Sequence, residues 1–296
     1  MKQHSERQIL DIGVSYSGSV LVYVERHAVA YPVNLDEFTI LPGFPIEWDN
    51  GGSRVAVNVA GTRCFTGSYG GKGVGAYTLP GGNPVWHRSD LARVQQIVVD
   101  ERASAAVVVV ENVGAITLDA ESGVRRRRYG AATRLWISPF DSFWLIKDGD
   151  LKGVDADDMR VRWAVGAKSF AILSCTFSPS TAFVSESAGP LRAIDLDTGK
   201  SKWELCRADE HYLELGYRED TKTLHGIRWP YKYGGPASWD LMGANDGEII
   251  STVVFDSGGS IGKFVKCGSS LFCYDGNLID TATSQPIGMV TGEGVI

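Results

Sequence analysis

Short apolar runs broken by Gly, Asp, Asn and Ser recur along the whole chain, and none carries the 3.6-residue period of an amphipathic helix. Residues 192–205, RAIDLDTGKSKWEL, show the unit most plainly: an apolar strand, a tight Asp-Thr-Gly turn and a second strand containing Trp203. A turn of this kind asks Asp197 to bond its own backbone and Gly199 to accept positive φ, so the segment predicts a hairpin. Val107–Val110 does not alternate with polar residues, as expected of a strand covered on both faces. Its β-branched content favours a strand over a buried helix.

The hairpin repeats. From Ala193, Asp195 lies two residues on and Trp203 ten; the same offsets hold for Gly153, Asp155 and Trp163, for Ala76, Thr78 and Trp86, and for Thr117, Asp119 and Arg127. Weaker copies start at Ala30, Ser238 and Leu278, and the mean spacing of the anchors is about 41 residues, the period of a propeller blade. Each period divides into four strands, the fifth into KSFAILSCTFS, TAFVSES, LRAIDLD and KSKWELC. The expectation is an all-β, seven-bladed β-propeller of four-stranded antiparallel blades, with residues 1–296 as a single domain.

The stretch AIDLDTGKSKW resembles the tryptophan-docking repeat A-x-D-x-x-T-G-x-x-x-W of pyrroloquinoline-quinone-like propellers, with a looser WD-repeat-like likeness, and the period covers essentially the whole chain. The resemblance implies that Trp86, Trp163 and Trp203 pack between adjacent blades. It gives Asp195 a structural role and makes Gly199 the residue that leaves room for a neighbouring indole. Catalytic members of the family carry the quinone with an added metal and a vicinal disulfide. Cys64, Cys175, Cys206, Cys267 and Cys273 include no adjacent pair. The fold is therefore carried over without the chemistry, and neither a cofactor nor a metal is expected.

Composition narrows the function. A net charge of -6 repels a nucleic-acid backbone, and no apolar run reaches the length of a membrane span. The start MKQHSERQILDIGVSYSG has no apolar signal core, and the odd set of five cysteines reads as free thiols, so a cytoplasmic location is expected. The five histidines occupy no metal-ligand spacing, no G-x-S-x-G elbow occurs, and TGSYGGKGVG lacks the Ser or Thr that a phosphate loop needs after Lys72. Asp148, Asp150, Asp155, Asp157 and Asp158 invite calcium, but the repeat register reads Asp155 as a blade aspartate and Asp157 and Asp158 as turn residues. Arg125–Arg128 falls on an edge strand, where charge blocks edge-to-edge pairing. Cys267 and Cys273 read as buried strand thiols.

Two connections between second and third strands read as long: GSYGGKGVG, 67–75, and PYKYGGPA, 230–237. Their Tyr, Lys and Gly suit recognition, and Tyr69, Lys72, Trp229, Tyr231, Lys232 and Tyr233 are the candidate contacts with a partner. The expected function is a non-catalytic protein-binding propeller whose partner is another protein. Its specific form is a bacterial immunity protein that neutralises a toxin or effector. The alternative is a propeller enzyme, quinone-dependent or a metal-dependent hydrolase, working in the central channel. Its inner-strand polar groups, Glu47, Asp49, Asp100 and Glu214, are too scattered to form a site.

Overall fold

In a computed structural model, the chain folds into antiparallel sheets built from consecutive strands. It describes residues 9–15, 19–25, 28–37, 39–46, 53–70, 72–167, 171–187, 189–206, 210–230, 237–255, 265–267, 271–274, 277–280, 285–291 and 294–295. The first sheet holds β1 (Ile9–Val14), β2 (Val20–Glu25), β3 (Val29–Asn34) and the short β4 (Thr39–Ile40), with β5 (Phe44–Pro45) also on β3. The second holds β6 (Ser53–Val57), β7 (Arg63–Ser68), β8 (Lys72–Thr78) and β9 (Pro84–Ala92), and the third β10 (Val94–Asp100), β11 (Ala105–Val110), β12 (Gly114–Asp119) and β13 (Arg125–Tyr129). The fourth is β14 (Arg134–Ile137), β15 (Phe143–Lys147), β16 (Leu151–Asp155) and β17 (Val161–Val165); the fifth is β18 (Ile172–Ser178), β19 (Thr181–Glu186), β20 (Leu191–Asp195) and β21 (Ser201–Leu205). The sixth is β22 (Glu210–Arg218), β23 (Thr223–Pro230), β24 (Ala237–Gly243) and β25 (Ile249–Phe255).

These are the antiparallel blades of a β-propeller, four-stranded apart from the extra β5 on the first, and among the described residues there are six, not seven. The last period forms a five-stranded sheet instead: β26 (Val265–Cys267), β27 (Leu271–Tyr274), β28 (Asn277–Asp280), β29 (Gln285–Thr291) and β30 (Gly294–Val295). Gly288 stands ten residues past Leu278, so this period has no aromatic to dock. Cys267 and Cys273 lie on β26 and β27.

The chain divides into two compact units, Met1–Thr133 with Val265–Asp280 and Pro286–Ile296, and Arg134–Phe264 with Thr281–Gln285. Within the first, β26 lies beside β1 and β30 beside β4. Its largest apolar cluster joins two blades: Phe65, Val74 and Ala76 of the second meet Ala106, Val108, Ile116 and Leu118 of the third. All six residues of β11 are buried, which is why its apolar run does not alternate.

The repeat offsets are ladder pairs. Ala76 lies opposite Trp86, Thr117 opposite Arg127, Gly153 opposite Trp163 and Ala193 opposite Trp203. Each outer-strand indole then crosses to the turn of the next blade and donates Nε1–H to a backbone carbonyl. Trp86 reaches Ala120 at 3.0 Å, Trp163 reaches Leu196 at 2.7 Å and Trp203 reaches Ala244 at 3.0 Å. Three residues past each carbonyl comes a glycine with positive φ, Gly123, Gly199 or Gly247. At Gly199, φ is 70° and an added Cβ would sit 2.7 Å from the Trp163 ring, so neither the backbone nor the space tolerates a side chain. Trp163 is buried, while Trp86 and Trp203 are half-buried.

Three turn assignments are corrected. Asp195, not Asp197, caps its turn, its Oδ1 accepting from the N–H groups of Asp197 and Thr198 at 3.2 and 2.9 Å. The first period docks Phe44 rather than the residue ten on, Ile40: β5 sets Phe44 opposite Ala30, and the ring covers Gly82 of the second blade. The sixth anchor is Leu241, which pairs with Ser251 next to the ladder shift, rather than Ser238.

Inner strands are stitched as well. The Asp11 carboxylate accepts from Val55 N–H of the next inner strand at 3.0 Å, and Ser174 Oγ accepts from Leu215 N–H at 3.1 Å. Both accepting side chains follow a register shift that re-aims them.

Trp163→Ala removes a buried indole and its hydrogen bond, and is expected to cost about 3–5 kcal/mol. Gly199→Ala, which strains the same contact from the other side, is expected to cost more than about 1 kcal/mol. Chemical denaturation reads both; a loss under about 1 kcal/mol for Trp163→Ala contradicts the docking role.

Candidate functional site

The connection between β7 and β8 is only residues 69–71, because Gly67 and Ser68 end β7 and Lys72–Gly75 already belong to β8. The long second-blade loop inferred from the glycines is therefore corrected to a tight one. Its glycines serve close packing within strands: a Cβ on Gly67 would meet Val94 at 2.9 Å, and one on Gly73, at φ 121°, would meet the His87 ring at 2.4 Å.

Tyr69 stays at the tip, 41 % exposed, and among the described residues it is the only exposed Phe, Tyr or Trp. Its hydroxyl donates to Glu111 Oε1 at 2.8 Å, and Arg93 lies 3.2 Å from Glu111 Oε2. Glu111 begins the connection from β11 to β12, and Arg93 is the single residue linking β9 to β10. Arg93 adopts φ 55°, and its carbonyl accepts Glu111 N–H at 3.1 Å, so the two connections are tied by backbone as well as by charge. The hydrogen bond to Glu111, and then the charge of that carboxylate, raise the Tyr69 pKa above its ordinary value; the Arg93 charge pulls the other way. The sequence singles out Tyr69 but not Glu111 or Arg93, whose meeting depends on how the second and third blades abut.

The remaining candidates fall elsewhere. Lys72 is the first residue of β8, opposite Ala92. Trp229 is 5 % exposed and pairs with His211 across β22 and β23, so it is an interior strand residue and not a loop-tip contact. Tyr231, Lys232 and Tyr233 lie outside the described residues.

Close to Trp229 in sequence stands a polar network that the periodicity did not announce. Asp240 is fully buried and accepts from Tyr212 Oη and Thr252 Oγ1, both at 2.7 Å, and from Arg228 Nε at 2.8 Å. Arg228 also faces Glu210 at 2.6 Å. Burial works against the guanidinium charge, but hydrogen bonds to Asp240 and Glu210 outweigh it and raise the pKa. With every oxygen of Asp240 engaged, the network is satisfied structure and leaves no group free for chemistry.

Of the groups considered for catalysis, one is employed in this way. Asp100 caps a turn through Ala103 N–H at 3.1 Å, Glu214 follows the register shift of β22, and Glu47 and Asp49 lie outside the described residues. Among the acidic residues read for calcium, Asp148 holds Lys152 at 2.7 Å, Asp155 holds Arg162 at 3.0 Å and Asp158 accepts Arg160 N–H at 2.9 Å. Among the described residues, no three His, Cys, Asp or Glu side chains gather as a metal requires. Arg125–Arg128 lies on exposed edge strand β13; Arg126 bonds Asp119, and Arg128 donates to the Val113 carbonyl at 2.9 Å.

Comparison with known proteins adds fold but no family. No family model matches the chain, and no curated protein matches it. Among solved structures, U3-55K superposes with a TM-score of 0.72 at 8 % identity, over 92 % of this chain and 88 % of that one. The β-propeller domain of Myceliophteria thermophila Cps50 (Swd1) gives 0.70 at 9 % identity, over 95 % of each chain. At such identities the likeness speaks for a β-propeller fold alone.

The Tyr69–Glu111 bond is open to measurement. In an ultraviolet difference titration of the wild type against Tyr69→Phe, the Tyr69 phenol is expected to ionise above the ordinary tyrosine value. Glu111→Gln removes the negative charge and is expected to bring the midpoint back down; an unchanged midpoint would show that the bond does not form in solution.

Proposed function

We propose that the chain is a single, non-catalytic β-propeller domain that binds another protein, and that the Tyr69–Glu111–Arg93 cluster is part of the surface that does so. The observation that carries this reading is the exposure of Tyr69, alone among the described aromatics, on a tip held by a carboxylate and a guanidinium. A large ring with a polar end, fixed in place before contact, binds at little cost in side-chain entropy. Tyr and Arg are also the residue types in which interface energy concentrates. The WD40-like fold supports the reading, since that architecture typically serves as an interaction scaffold. Tyr231, Lys232 and Tyr233 remain candidate contacts on sequence grounds. In its narrower form the proposal makes the partner a toxin and this chain its immunity protein. Co-expression then protects cells whose growth the partner alone arrests.

The test joins affinity to stability. Tyr69→Ala with Arg93→Glu is expected to leave the melting temperature within about 2 °C, since both side chains are exposed. It is expected to weaken binding of a partner isolated with the wild-type protein by about 30-fold or more, the scale of a hot-spot residue. Unchanged affinity in a folded variant overturns the assignment of this surface.

A further inference from the structure

The outermost strand of a blade exposes one unpaired row of backbone N–H and C=O groups, and four of these edges carry charge. β9 has Pro84, Arg88 and Asp90; β13 has four arginines; β17 has Arg162; β21 has Lys202 and Glu204. Three of the cations belong to the repeat: Arg126, Arg162 and Lys202 each stand seven residues past the turn aspartate, Asp119, Asp155 or Asp195, and pair with it. In the sixth blade both members are gone. Gly243 occupies the aspartate position and Ile250 the cation position. Asp246 caps this turn instead, its Oδ1 accepting Glu248 N–H at 3.0 Å and lying 2.4 Å from where a Cβ on Gly243 would stand.

The outcome is β25, Ile-Ile-Ser-Thr-Val-Val-Phe, seven residues with neither a charge nor a proline. Ile250 and Val254 are 60 % and 62 % exposed, and among the described residues only β24 pairs with the strand. An uncharged β-branched edge of this length is a template for another strand.

We infer that β25 is a self-association edge, paired antiparallel with β25 of a second copy of this chain. Two features select that occupant. An open backbone ladder is satisfied by an extended strand. The strand is also self-complementary: a two-fold axis at Thr252 sets Ile250 of each copy opposite Val254 of the other, on the exposed face. Such β-branched pairs stabilise antiparallel sheets, and the seven residues themselves bring no charge to the pairing. The contact is isologous and uses up both edges, so it closes at a dimer.

Analytical ultracentrifugation and hydrogen exchange test the inference. Wild-type protein is expected to dimerise at concentrations up to about 100 µM, with the amides of Ile249–Phe255 gaining protection as concentration rises. Ile250→Lys with Val254→Lys, and the matching pair of glutamate substitutions, are each expected to weaken dimerisation at least about tenfold. Mixing the two variants restores it, because opposite charges then face one another across the axis. Val254→Lys alone, at an exposed position, repeats the test should the double variants fold poorly. A monomeric wild type without concentration-dependent protection overturns the inference, as does a dimer that the charges leave intact.

Discussion

An aromatic ring resting on the Cα of a glycine in the next blade is the contact from which the rest of this architecture follows. A single four-stranded blade has apolar faces on both sides and cannot bury either alone. Docking the outer-strand ring onto the following turn fixes one blade against the next at the rim, and the inner-strand bonds from Asp11 and Ser174 fix it near the inner strands. Central strands such as β11 are then covered on both sides and need no polar face. Glycine is required at the docking point for two reasons, space and φ, and the indole N–H finds its acceptor three residues earlier in the same turn. In Asp119, Asp155 and Asp195 the turn is capped by a carboxylate whose second oxygen holds a cation on the outer strand. At Asp195, burial alone would raise the pKa, but hydrogen bonds from Thr198 and Lys202 more than offset it and the acid is strengthened.

This dependence explains what was legible in the sequence. The offsets from anchor to turn residue to aromatic are consequences of ladder register and ring docking, so they recur wherever those contacts form; Ala76, Gly153 and Ala193 were placed correctly for that reason. In chain order, the blade that replaces its tryptophan with Arg127 precedes the turn that replaces its glycine with Met159. The offsets fail where the outer strand is interrupted. Residues 41–43 separate β4 from β5, which moves the docked ring from position 40 to Phe44. They fail again in the last period, where Gly288 stands in for an aromatic and a five-stranded sheet replaces the blade.

The binding surface was less legible, because residue type does not say where a strand ends. Glycine serves turns, but it also serves close approach inside a sheet, and Gly67 and Gly73 are of the second kind. A Gly-rich run therefore suggested a loop where the ladder continues. Trp229 is a candidate contact at the edge of the loop 230–237, yet β23 extends to Pro230 and carries it inside. Glu111 and Arg93 carry no sequence signal at all: each is an ordinary charged residue near a turn, and only the abutment of two blades brings them to one tyrosine.

The sixth blade shows how the turn and the edge are coupled. In the third, fourth and fifth blades one carboxylate both closes the turn and anchors a cation on the outer strand, so the turn's own chemistry keeps the edge charged. Once Asp246 takes over the cap from inside the turn, no carboxylate at position 243 remains to hold a cation at position 250. Another carboxylate of this blade, Asp240, is buried in β24, where it accepts from Arg228 and Thr252. The outer strand β25 is thus left without the cation that a turn aspartate holds on β13, β17 and β21.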